Sequence, residues 1–350
     1  MRQVVQPVGG GPIEVVTAPT PIIGPTEVLV QTEATIISAG TELAVTKLAQ
    51  ASLVSKAKAR PDLVKKVIEK AKTDGIGPTI ASVRTRLEGD LPLGYSGAGR
   101  IIEVGDAVTH LRPGMRVATA GGGCANHAEF QAVPMLLCAQ IPESVNSETA
   151  ALATVAAIAM HGVRQADIEF GSKVLVVGLG LIGQLTARLA MAAGCDVAGV
   201  DVRPSAVARA TESGVLALAD KGGDTTKAIL DWSRGRGADA VIITAGSGDS
   251  SIIKAVPARC RDRAVVVAVG VVGLDIDRAD FFAKELAVNI GHDVAVTARR
   301  RINRVLKRVA IELFRCAHRC RWLVRTSSAK LGDKFQDQVS GNGDDDHQYQ

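Results

Sequence analysis

Three glycines in the stretch VLVVGLGLIGQL, Gly178, Gly180 and Gly183, keep the G-x-G-x-x-G spacing. The chemistry suited to that spacing is recognition of a pyrophosphate. The first glycine allows a tight turn, the second lets phosphate oxygens approach the backbone, and the third lets a helix pack on a strand. A helix beginning there adds N–H groups and the positive end of its dipole. Leu179, Leu181 and Ile182 complete this cofactor-binding segment.

Glycine spacing alone is common, and the flanking sequence narrows it. Val174 to Val177 precede the turn as an apolar, strand-like run, and Gln184 onward reads as a helix. Asp201 ends the next apolar run, 18 residues past Gly183. A carboxylate there would accept hydrogen bonds from adenosine ribose hydroxyls and repel a 2′-phosphate, so the expected cofactor is NAD. Arg203, two residues on, softens that preference and leaves NADP open.

The elements around the turn follow from periodicity. Residues 1–37 alternate short β-branched runs with Pro and Gly turns, as in EVVTAP and PIIGPTEVLVQTEATII, which predicts a β-rich opening. Residues 46–90 change character. In RPDLVKKVIEKAKTDG, Leu63, Val64, Val67, Ile68 and Ala71 recur at helical spacing between Pro61 and Gly75, which predicts a helical insertion. Strand signals return in GRIIEVG, GMRVATA and AEFQAV. From residue 171 strands alternate with helices, through DVAGVD, ADAVIIT and RAVVVAVG, which implies a parallel, doubly wound sheet.

Composition sets outer bounds. At 350 residues the chain is long enough for two cores, and 47% hydrophobic with 22% charged residues is ordinary for a globular protein. Aromatic residues make up only 3%, which argues against a base-stacking nucleic-acid surface. No apolar run reaches the roughly 20 residues that span a bilayer. The expectation is a soluble, cytoplasmic protein with a small-molecule substrate and no membrane or nucleic-acid partner. Six cysteines without a regular spacing suit unpaired thiols in a reducing compartment. The clustered Cys316, His318 and Cys320 read as a solvated helix face rather than a metal site.

With these segments in place the chain resembles the medium-chain dehydrogenase/reductase family, the zinc-type alcohol dehydrogenases in the broad sense. The resemblance covers about residues 1–290. It rests on EVLVQTEATIISAGTEL, LPLGYSGAGRIIEVGDAVTHLRPGMRV, ETAALATVAAIAMHGV and the glycine-rich segment. With its insertion after G-T-E, the chain is most similar to the N-terminal half of bacterial two-domain oxidoreductases. The resemblance implies a GroES-like β-rich catalytic domain over 1–155, carrying the insertion 46–90. It also implies a Rossmann coenzyme domain over 156–290, an active site in the cleft between them, and a homo-oligomer.

The chain departs from the family where zinc would bind. Ala39 stands where a ligand Cys commonly precedes G-T-D, Tyr95 replaces the His of G-H-E, and Thr154 falls at the later Cys. The structural-zinc cysteines are also missing. No zinc is therefore expected, since a catalytic site needs three protein ligands. Carbonyl polarisation would then fall to hydroxyl or backbone donors. By family position Thr41 is the first catalytic candidate, Tyr95 the second, and His127 a proton shuttle. His161 aligns where relatives place a residue near cofactor phosphate or ribose. The activity implied is NAD-dependent hydride transfer with an alcohol, sugar derivative or carbonyl compound. The alternatives are an NADPH-dependent quinone or enoyl reductase, or a catalytically silent dinucleotide-binding remnant.

After about residue 290 the resemblance ends. Residues 298–330 carry eleven Lys or Arg against Glu312 alone, a net +10, so the rest of this +5 chain sums to −5. The abrupt onset and polar ending of residues 291–350 suit an out-of-frame stretch of a GC-rich gene. That account is favoured over an amphipathic lid or an arginine-rich nucleic-acid arm.

Overall fold

The structure, a computed structural model, describes residues 1–8, 10–50 and 89–291. The expected helix over 61–75, most of the insertion, the Cys316–Cys320 cluster and the Arg-rich segment lie outside the described residues. Two compact units are present, one over Met1–Leu152 and one beginning at Ala153.

The first unit is β-rich, as its alternating apolar pattern predicts. Strands β1 (Arg2–Pro7), β2 (Glu14–Thr17) and β4 (Asp90–Pro92) form an antiparallel sheet in the order β2-β1-β4. A second antiparallel sheet has the order β7-β3-β5-β6-β8. Its strands are β3 (Glu27–Thr35), β5 (Ser96–Val104), β6 (Arg116–Ala120), β7 (Phe130–Pro134) and β8 (Cys138–Gln140). Val28, Val30, Ile101, Val117, Val133 and Cys138 pack together as its core. Two helices complete the described part, α1 (Ala39–Gln50) and α2 (Ser147–Ala150).

Helix α1 begins seven residues before the expected start of the insertion at residue 46. The reason is local. Glu42 reaches back to accept the Ser38 N–H at 2.9 Å, which satisfies a donor at the helix start and places a carboxylate in the first turn, where the dipole favours it.

The second unit opens with α3 (Ala153–Gln165) and then alternates β9 (Lys173–Val177), α4 (Leu181–Ala192), β10 (Asp196–Asp201), α5 (Pro204–Glu212), β11 (Leu216–Ala219), α6 (Gly223–Trp232), β12 (Ala238–Ile243), α7 (Ser251–Ala255), β13 (Cys260–Ala268), α8 (Arg278–Ala283) and β14 (Ala287–Ile290). Its six strands are all parallel, in the order β11-β10-β9-β12-β13-β14. Side chains alternate between the two faces of β9. Val174 and Val176 enter one core, and Leu175 and Val177 the other. Both faces are buried, so the strand reads as a continuous apolar run. The order reverses between β9 and β12, and ligands of doubly wound sheets bind outside the strand ends at such a reversal.

Each unit holds a deeply buried thiol. Burial pushes Cys138 above the ordinary cysteine range, and it pushes Cys260 up to about 12 against the lowering pull of Lys284 and Arg261. Among the described residues, no helix is long and apolar enough to cross a membrane.

Candidate functional site

The glycine turn follows β9 at the reversal point of the parallel sheet. Gly178 has φ +93°, and a Cβ there would lie 2.6 Å from the Ala245 backbone N, just past β12. A Cβ on Gly183 would lie 1.9 Å from the Gly178 carbonyl oxygen, so no larger residue fits. The Thr244 hydroxyl donates to that same carbonyl at 2.6 Å and ties the turn to the end of β12. Around Gly180 the space is open apart from the Arg203 guanidinium, 3.4 Å from where a Cβ would stand.

Helix α4 starts at Leu181, three residues before the helix expected from Gln184. Gly180 is its N-cap without a side-chain hydrogen bond, and the first bond of the ladder runs from Gln184 N to the Gly180 carbonyl at 2.9 Å. The amides of Leu181, Ile182 and Gly183 precede that ladder. A helix start offering amides and a positive dipole end suits an anion. The glycines thus leave room that side chains would fill, and these residues fit a dinucleotide.

Asp201 ends β10 and is buried. Its Oδ2 accepts the Leu179 N–H at 2.7 Å and its Oδ1 the Arg203 N–H at 2.8 Å. The Arg203 guanidinium adds Nε at 3.3 Å from Oδ1 and Nη2 at 3.4 Å from Oδ2. The Asp201 side chain is 6% exposed and that of Arg203 46%. The two residues therefore present a paired cation and anion with the cation outermost, whereas the sequence reading weighed the carboxylate first. His161 stands on α3, with its Nε2 3.0 Å from the Gln165 amide one turn on.

In the β-rich unit, Thr41 is exposed in the first turn of α1, and its hydroxyl lies 3.3 Å from the buried Ser38 hydroxyl. Tyr95 is half-buried between β4 and β5, and its carbonyl accepts the Gly121 N–H at 2.9 Å. Its neighbour Ser96 is buried and donates to the Ala151 carbonyl.

His127 lies between β6 and β7 and is buried at 2% exposure. Its Nε2 is 3.2 Å from both Glu42 oxygens, and its Nδ1 is 2.9 Å from the Thr35 hydroxyl. Glu42 is buried at 3% exposure. Gly94, at φ +95°, brings the backbone against the imidazole, and a Cβ there would meet the His127 N at 2.7 Å and the ring at 3.0 Å. Sequence reasoning named His127 without its partners. The reach of Glu42 back to Ser38 has a four-residue spacing that could have been read, but nothing in sequence spacing joins residues 35, 42 and 127.

The family positions for catalytic zinc carry a methyl group at Ala39, a phenol at Tyr95 and a hydroxyl at Thr154. That donor chemistry does not fit a catalytic zinc ion, which takes thiolate, imidazole or carboxylate.

The family model described as zinc-binding dehydrogenase matches residues 182–310. That match continues past residue 290, where the sequence resemblance was expected to stop. Sorbitol dehydrogenase 2 of Saccharomyces cerevisiae is 29% identical over 211 residues, 50% of this chain and 57% of its own length. Over these stretches the chain is similar to zinc-type members of the medium-chain dehydrogenase/reductase family. D-guloside 3-dehydrogenase of Escherichia coli is 34% identical over 164 residues, 46% of this chain and 47% of its own length. The chain thus spans about half the length of the curated relatives it matches. The solved quinone oxidoreductase of Pseudomonas syringae pv. Tomato DC3000 shares the fold, with TM-score 0.68, 20% identity, and coverage of 93% of this chain and 90% of that one. GroES-like and Rossmann architectures account for the two units.

Proposed function

We propose that this chain is a zinc-independent oxidoreductase that moves a hydride between NAD and a polyol or sugar-derived alcohol. The observation that carries the reading is the Gly178–Gly183 turn, whose Gly183 admits no side chain and whose helix start faces the reversal point of the parallel sheet. The relatives named for sorbitol and guloside support an alcohol carbon as the site of oxidation.

In this reading the amides of Leu181, Ile182 and Gly183 hold the pyrophosphate, and Asp201 with Arg203 meets the adenosine ribose. His161 stands by as a weaker contact. The bound nicotinamide would supply a two-electron hydride carrier. Thr41 and Tyr95 are the hydroxyls proposed to donate to the substrate oxygen, in place of the several kcal/mol of stabilisation a metal supplies. A homo-oligomer is proposed through β14, the last strand of the parallel sheet among the described residues, where Ile290 is exposed, as is Phe282 on α8. Sedimentation of the intact chain tests it.

Titration with NADH and NADPH, followed by oxidation of sorbitol and a wider polyol panel with NAD, tests the function. NADH binding followed by turnover supports it. Binding without turnover favours the silent dinucleotide-binding reading, and binding of neither coenzyme removes the basis of both. One observation favours a second enzymatic reading, NADPH-dependent quinone reduction. Arg203 stands outermost over the turn, where a 2′-phosphate would meet a cation. Turnover of a quinone with NADPH alone would reverse the order.

A further inference from the structure

We propose that Thr35, His127 and Glu42 form a proton relay, with the Thr35 hydroxyl meeting the substrate and the buried His127–Glu42 pair serving as the base behind it. The proposal rests on the oxidoreductase reading above.

The direction of the chain of hydrogen bonds follows from which groups can donate. A carboxylate only accepts, so the His127 Nε2, 3.2 Å from both Glu42 oxygens, carries the ring hydrogen. In the neutral ring Nδ1 is then the acceptor, and the Thr35 hydroxyl at 2.9 Å is its donor. Glu42 and His127 are almost wholly buried, whereas Thr35, the last residue of β3, is half-buried. The series therefore runs from the interior outward as carboxylate, imidazole, hydroxyl. A buried carboxylate in that order fixes the imidazole tautomer and stabilises the cation that forms on protonation.

Burying the Glu42 carboxylate against a neutral imidazole is costly, and a pair of apolar side chains would close the same space. A relay gives the pair a use that packing does not. Among the described residues, the charged side chain bonded to the imidazole is Glu42, from α1. Thr35 of β3, Leu93 and Gly94 between β4 and β5, and Val4 of β1 bring hydroxyl or backbone groups.

In alcohol oxidation the substrate O–H proton passes to the Thr35 oxygen as the Thr35 proton moves to His127 Nδ1. A bound nicotinamide would accept the hydride, with its electron pair, that the carbinol carbon gives up as its C–O bond becomes C=O. Carbonyl reduction runs the same transfers backward. Among the described residues, the side chain bonded to the Thr41 hydroxyl is that of Ser38, which is not a base.

The test combines turnover with a readout independent of it. With sorbitol or whichever panel polyol the wild type oxidises, Thr35→Val lowers kcat about 100-fold, in the range of general base catalysis. Its NADH affinity stays unchanged, and Thr35→Ser recovers most of the rate. His127→Gln lowers kcat comparably while NADH affinity stays unchanged. Nitrogen-15 NMR, with His127 assigned by its loss in His127→Gln, finds hydrogen on Nε2 and none on Nδ1 at pH 8. A Thr35→Val variant at full rate, or a hydrogen on Nδ1 at pH 8, overturns the relay alone. A wild type that oxidises no alcohol overturns the oxidoreductase reading and the relay with it.

Discussion

At the scale of single residues, the glycine turn makes a sharp demand. A methyl group on Gly183 would have to share space with the Gly178 carbonyl, at 1.9 Å. Gly183→Ala is expected to cost about 1–3 kcal/mol, the usual penalty for overpacking a close contact. It is also expected to abolish NADH binding, and urea unfolding with coenzyme titration checks both. Arg203 makes a demand of a different kind. Its guanidinium is half exposed above Gly180 and paired with a buried carboxylate. Arg203→Ala is expected to weaken NADPH about tenfold while leaving NADH within about twofold, because only the former brings a phosphate to the cation. Equal losses for both coenzymes would mean that Arg203 serves the shared part of the dinucleotide.

Individual residues also show what sequence could and could not reveal. Gly178, Gly183 and Asp201 were legible because a strand, a turn and a helix lie next to one another along the chain. The Arg203–Asp201 pair was half legible. Spacing put the two side by side, but not which of them faces outward. Glu42 and His127 are 85 residues apart, and their meeting depends on how β3 and the turn after β6 are laid together.

At the scale of elements, β9, β10, β12 and β13 follow from the short apolar runs within them, since the part of a strand buried on both faces has no polar alternation to conceal it. Helix starts were less legible. Both α1 and α4 begin earlier than their apolar periodicity suggests, because their first turns are specified by capping groups, Glu42 to Ser38 in one and Gly180 in the other. A side chain also ties two elements together in the second unit. Arg259, before β13, is buried and bonds Asp220, which follows β11, at 2.7 and 3.0 Å, and it reaches Thr226 on α6 at 3.2 Å. Burial alone would push the Asp220 carboxyl up, but the Arg259 hydrogen bonds and charge outweigh it and hold the group below the usual carboxylate range. A depressed folded-state pKa means that the stabilisation is fully present above the unfolded value, about 3.9, and lost as pH falls through the folded one. Asp220→Asn is therefore expected to cost about 1–2 kcal/mol at pH 7, discounted because the carboxylate is partly solvated. The variant should lose part of the stability slope that the wild type shows below about pH 4. Urea unfolding across that range measures both.

At the scale of the whole molecule, the two units are built on opposite principles, one of antiparallel sheets and one of a parallel sheet with helices on both faces. Each has closed its core around a thiol that burial keeps protonated, Cys138 in the first and Cys260 in the second. A thiol without thiolate character does not react with alkylating agents. Native chain at pH 8 is thus expected to leave both unmodified by iodoacetamide, while each becomes reactive once its own core opens. Mass spectrometry of the alkylated peptides, taken along a urea series, would show early labelling of either cysteine if that core were looser than its burial implies. Cys138 and Cys260 therefore serve as natural unfolding gauges, one in the first unit and one in the second, and the two can be read separately in a single tube without adding a probe.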